Sequence, residues 1–198
     1  MTLKNLFHWF WSTLALGSVS ALVLAFLIEA VTGGNVFGEI GQLLLLALTL
    51  SAAAELGFFS YLVFNWLSRG LIRNKGVYDA ILFFLTALVI GNLVYLNAVK
   101  FSGTDFWIHL SIPAVVLIAA LITAWAKTRM TNGSAWWPTF FFMTAATILE
   151  CIPSINAKAG EVPVPILLHT VLVVLICNAW QILRLHRWVS PKKEKTRG

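Results

Sequence analysis

Charge is what this sequence has least of. Only 11% of its 198 residues are Asp, Glu, Lys or Arg, less than half of the roughly 25% that a soluble domain carries. That shortage excludes an ordinary soluble fold, and no stretch of the composition marks off a separate soluble domain. Cysteine is nearly absent, with only Cys151 and Cys177. On the topology set out below, the second lies roughly 20 Å deeper than the first at 1.5 Å per residue. A disulfide does not bridge that separation, so both read as free thiols. Also missing are the GxSxG, HExxH, HxxxH and CxxC spacings and any adjacent Glu pair. Without them, intramembrane hydrolysis and metal chemistry have no foothold. The chain reads as a non-enzyme with no cofactor and no metal. A site built from His109, His169 and Glu150 is conceivable, but no local ligand spacing supports it.

What is present is apolar: 59% of the residues, with a mean hydropathy of +0.84. A spanning helix takes about 20 mostly apolar residues, and six runs qualify: 6–30, 40–67, 77–98, 106–126, 135–152 and 162–185. The uncharged stretch 5–28 is 24 residues long and Trp-rich, longer than the apolar core of a cleaved signal, and reads as a retained first helix. The expected fold is all-α and polytopic: one six-helix transmembrane domain over 1–190 and a basic tail over 191–198.

The net charge of +6 does not point to nucleic acid, because the basic residues sit in short connections between apolar runs and form no phosphate-tracking stripe. With the N-terminus in the cytoplasm, twelve of the fourteen fall inside: Lys4, Arg69, Arg73, Lys75, Lys127, Arg129, Arg184, Arg187, Lys192, Lys193, Lys195 and Arg197. Only Lys100 and Lys158 fall outside. This asymmetry places both termini in the cytoplasm of a multi-pass cell-membrane protein. The tail adds attraction to anionic lipid. Every connection is too short to hold a folded domain, so activity resides in the membrane, at its faces or in partners.

Small residues recur on helical faces: Gly17, Ala21 and Ala25; Ala53 and Gly57; Ala120 and Ala124. They allow close backbone approach, read here as packing within one chain in preference to a homodimer face. Trp9, Trp11, Trp107, Trp136, Trp137 and Trp188 fall near predicted interfaces and read as an anchoring belt. Pro113 lies inside the fourth helix, where it is expected to bend it.

The most specific stretch is 136–153, WWPTFFFMTAATILECIP. It is an apolar helix with Glu150 near its end and Pro153 placed to stop it. A carboxylate in such a run needs a partner, a proton or a job. Glu55, in the middle of the second helix, poses the same question. It reads equally as a proton- or cation-linked group or as a hydrogen-bonded packing determinant. Met143, Thr147 and Glu150 share a helical face. Asn92, Tyr95, His109 and His169 lie in outer halves of other spans, as an outward-facing pocket with Glu150 or, more simply, as separate interfacial groups. Asn178 and Gln181, at i and i+3 on the sixth helix, offer amides to a neighbouring helix or to a partner. Asn65 has a similar depth on the second. Glu55 and Glu150 stand at corresponding places in two three-helix halves, the arrangement of an inverted repeat.

PTFFFMTAATILECIPSI followed by CNAWQILRLHRW, with ELGFFSYLVFNW in the second helix and, more loosely, LVYLNAV in the third, resembles the KinB-signalling pathway activation proteins of endospore-forming bacteria. The positions that carry the resemblance are Gly57, Phe58, Phe59, Tyr61, Pro138, Met143, Glu150, Pro153, Cys177, Asn178, Gln181 and His186. Cys151 departs from the aromatic expected beside the glutamate. The resemblance implies a cytoplasmic-membrane regulator that activates a membrane sensor histidine kinase feeding sporulation. Its partners would be that kinase and membrane lipid, and no catalytic chemistry is implied. The competing expectation is a small proton-coupled transporter or channel using Glu55 and Glu150.

Overall fold

In a computed structural model, residues 3–34, 36–100, 104–155 and 163–189 are described. They form six long helices: α1 (Leu3–Thr32), α2 (Ile40–Leu71), α3 (Lys75–Lys100), α4 (Thr104–Met130), α5 (Trp136–Ile155) and α6 (Val164–Val189). A short 3-10 turn (Gly133–Ala135) leads into α5. All six are long and apolar enough to cross a membrane, and no strand occurs among the described residues.

Backbone chemistry extends the helices beyond their apolar limits. At the end of α1, Gly33 takes a φ of 70° and its N–H bonds Glu29 O at 2.9 Å, a left-handed cap that glycine adopts without steric cost. At the start of α3, Asn74 Oδ1 accepts from Gly76 N at 2.9 Å, satisfying an orphan donor of the first turn. Pro153 does not stop α5, which runs on to Ile155. A proline removes one backbone bond but holds a helical φ, so the last turn completes. α4 likewise continues through Pro113.

α5 and α6 are the centre of the bundle. α5 packs on α2, α3, α4 and α6, and α6 packs on α1, α2, α4 and α5. Within the apolar window of α6, 61% of residues are buried, against 17% for α1, so α1 lies at the periphery. On α2 the buried stripe is Leu43, Ala47, Leu50, Ser51, Ala54, Glu55, Phe58 and Tyr61, the spacing of one helical face. Ala21, Ala25, Ala120 and Ala124 are all buried, consistent with packing inside one chain.

Two expectations change here. Trp9 is no interfacial anchor. It is 1% exposed and lies edge-on to Phe58 at 4.6 Å between ring centroids, because α1 turns that face to α2. Trp11, two residues on, is exposed. Lys127 is not a loop cation. It is buried on α4, and its Nζ donates to Ile182 O at 2.6 Å and Leu183 O at 3.4 Å. The tail 191–198, Lys158 and the side chains of Lys4, Trp107, His109, Pro153 and Trp188 lie outside what is described.

Candidate functional site

The buried faces of α2, α5 and α6 meet over carboxyl, amide and hydroxyl groups. Thr147 and Glu150 are three residues apart on α5, and Asn178 and Gln181 three apart on α6, so each pair leaves its helix on one face. Asn178 Nδ2 donates to Glu150 Oε2 at 3.0 Å and to Thr147 Oγ1 at 3.2 Å. The other carboxylate oxygen, Glu150 Oε1, lies against Gly57 of α2, where an added Cβ would collide with it. Glycine at 57 is therefore what lets α2 close on the carboxylate.

Glu55 faces the opposite side of this junction. It is 2% exposed, with Thr13 of α1 and Gln181 of α6 as polar neighbours. Neither closes a hydrogen bond to it; the Thr13 hydroxyl donates instead to Trp9 O at 3.2 Å. Gly17 of α1 supplies a second close approach, since a Cβ there would run into Ser51 Oγ and Cys177 Sγ. α1, α2 and α6 thus meet at a glycine, a hydroxyl and a thiol. Cys177 and Cys151 are both buried free thiols.

Much of this polarity is unmatched. Glu150 Oε1, Asn178 Oδ1, both Glu55 oxygens, both amide atoms of Gln181 and Thr144 Oγ1 are buried without a hydrogen-bond partner among the described residues. Each such group costs about 1–3 kcal/mol relative to a satisfied one, and hydrocarbon supplies no water to relieve it. A partly satisfied network is sensitive to small rearrangements, because a helix shift that pairs an orphan atom gains what the orphan had lost.

The remaining candidates are dispersed. His169 Nε2 bonds the Ala21 carbonyl at 2.9 Å and its ring packs on Phe37 at 4.6 Å, tying α6 to α1. Asn92 and Tyr95 are exposed on α3. Asn65 accepts from Tyr78 Oη at 2.7 Å. No group of three His, Cys, Asp or Glu residues is arranged to hold a metal among the described residues. Of the other positions that carried the resemblance, Phe58, Tyr61, Pro138, Met143 and Cys177 are buried. Phe58 and Tyr61 pack on Phe142 with ring centroids 5.3 and 4.6 Å apart. Phe59 is half-buried against Trp9, and His186 Nδ1 lies 2.8 Å from Leu183 O. Sequence reasoning missed Thr13 and Ser51, which carry no signal beyond a hydroxyl in an apolar run. It also missed the role of Lys127, whose position at a helix end suggested a loop.

Residues 14–188 match the family described as KinB-signalling pathway activation in sporulation. A KinB-signaling pathway activation protein of Bacillus subtilis (strain 168) is 22% identical over 202 residues, covering 96% of this chain and 100% of that relative. No solved structure matches the chain. The matched range takes in the whole junction of Gly57, Glu150 and Asn178.

Proposed function

This chain belongs to the family of KinB-signalling pathway activation proteins, and from that premise we propose that it is an integral membrane regulator that activates a membrane sensor histidine kinase on the way to sporulation. It acts by contact inside the bilayer and catalyses no reaction. Both termini lie in the cytoplasm, where the basic residues concentrate.

The observation that carries this reading is the half-satisfied Glu150–Asn178 pair. Glu150 Oε1 is separated by Gly57 from an apolar groove of about 220 Å3 between α2 and α5, lined among others by Ser60, Phe64, Phe141 and Leu149. The groove's occupant is a transmembrane helix of the kinase. Such a helix gains apolar contact along α2 and α5, and it biases how closely the two helices approach at Gly57. Two arrangements of the α2–α5–α6 junction, one with Glu150 held by Asn178 and one with it re-paired, bind the kinase with different free energies. That difference is what couples the two proteins.

Site-directed crosslinking in sporulating cells tests this. Cysteine at Ser60 or Leu149, both exposed, should join this chain to a span of the kinase, and Glu150→Leu should lower output of the pathway. Absence of any crosslink from α2 or α5, together with normal signalling in Glu150→Leu, rejects the reading. The rival reading is a proton-coupled carrier, favoured by the unpartnered carboxyl of Glu55. It requires flux in reconstituted vesicles that Glu55→Gln and Glu150→Gln both abolish.

A further inference from the structure

A second polar feature lies at one end of the bundle, away from the buried junction. Where α2 gives way to α3, a cleft of about 260 Å3 is lined by Arg69, Arg73, Lys75, Tyr78, Asp79 and Ser134. Its walls come from two successive connections on the same face of the bundle, since Ser134 belongs to the turn between α4 and α5.

Local chemistry holds the cleft in shape. The hydroxyl of buried Tyr78 donates to Asn65 of α2 at 2.7 Å, which fixes its ring between the two helices. The Arg69 guanidinium sits 5.7 Å from the centroid of that ring, within cation–π range. Asn74 caps α3 through Gly76, which sets the backbone that carries Lys75. α2 and α3 make at most marginal contact with each other along their lengths, so the cleft is not closed by helix packing.

Three cations and one carboxylate, Asp79, therefore surround a depression. None of Arg69, Arg73 and Lys75 forms an ion pair among the described residues. The positive-inside bias alone requires only that basic residues lie on this face. It does not require them to line one cleft together. Arginine forks and a lysine point charge are the donor set that recognises phosphate oxygens. The volume is below the ordinary 300–1,000 Å3 of sites for drug-sized ligands, which suits a small anion or a lipid headgroup.

We propose that this cleft binds a phosphate-bearing anion, drawn from an acidic phospholipid of the adjoining leaflet or from free phosphate. Arg69, Arg73 and Lys75 neutralise the anion and donate to its oxygens, and Asp79 limits its affinity. A bound headgroup would tie the α2–α3 connection to the membrane surface and so fix the end of α2, the helix that carries Gly57.

The test uses the full chain purified in detergent, with its basic tail intact in every variant so that the tail's own lipid attraction is common to all. Retention of phosphatidylglycerol and of phosphatidylcholine is read by native mass spectrometry, and inorganic phosphate binding by calorimetry. Arg73→Gln should weaken binding of the preferred probe by roughly five-fold, the scale of one basic residue at an acidic lipid surface. Asp79→Asn should strengthen it. Both effects on phosphatidylglycerol, with little phosphatidylcholine retained, assign the site to lipid. Both effects on phosphate, with no preference between lipids, assign it to the free anion. Wild type, Arg73→Gln and Asp79→Asn binding all three probes alike would overturn the proposal. Because Asp79→Asn predicts a gain, impaired folding of the arginine variant cannot imitate the expected result.

Discussion

A methyl group at position 57 would stand where the Glu150 carboxylate oxygen stands. Gly57→Ala should therefore push α2 and α5 apart, at a cost of about 1–3 kcal/mol of the overpacking kind, seen as an earlier thermal unfolding transition in detergent and as reduced pathway output. A transition unchanged from wild type would show that the two helices do not meet this closely. Asn178 gives the complementary prediction. Asn178→Leu leaves Glu150 Oε2 and Thr147 without their shared donor and should cost about 1–3 kcal/mol. Glu150→Gln keeps an acceptor for Asn178 and should change stability by less than that. If both variants unfold alike, the bond carries no weight in the fold. At this scale the sequence was half legible. Glu150, Asn178 and Gln181 stood out because polar groups in apolar runs are costly. Gly57 did not announce its contact, because a glycine in a helix signals close approach without naming what approaches. Trp9 was misleading for a related reason. Near a helix end, a tryptophan suits both the lipid interface and the core, and only the neighbouring helix decides.

At the scale of elements, the lengths of the apolar runs predicted six helices, while their caps and last turns escaped prediction. α2 continues four residues past its apolar limit, to Leu71, and α5 passes Pro153. Backbone bonding sets these ends and hydropathy does not report it. Lys127 illustrates a link between elements that sequence could not display. From α4 its ammonium reaches two carbonyls of α6, and α6 positions Asn178 and Gln181. Both carbonyls lie within α6 and keep their helical donors when the ammonium is removed. Lys127→Met should therefore retain the fold while loosening the C-terminal end of α6. The expected sign is faster amide hydrogen exchange at residues 182–186, with exchange around 170–176 unchanged. Equal protection in the two proteins would reduce Lys127 to a passive filler.

For the whole molecule, the charge asymmetry makes the sharpest prediction. Cysteine placed at Ser134 and at Gly34, on opposite ends of the bundle, should react with a membrane-impermeant thiol reagent from opposite sides of sealed vesicles, Ser134→Cys from the cytoplasmic side. The buried native thiols should stay silent. Labelling of both from one side would refute the six-span topology. The architecture was readable because a bilayer permits few backbone solutions. The order of packing was not, since apolar length does not say which helix stands in the middle.

That order bears on how the protein is made. Of the six helices, the two at the centre of the bundle leave the ribosome after the other four. Until α6 arrives, Glu55 waits in the bilayer without Gln181 beside it, and the faces that α1 and α2 turn to α6 have nothing to close on. Assembly is thus held until α6 has been made, and a nascent chain that stalls before α6 presents membrane quality control with an exposed carboxyl group.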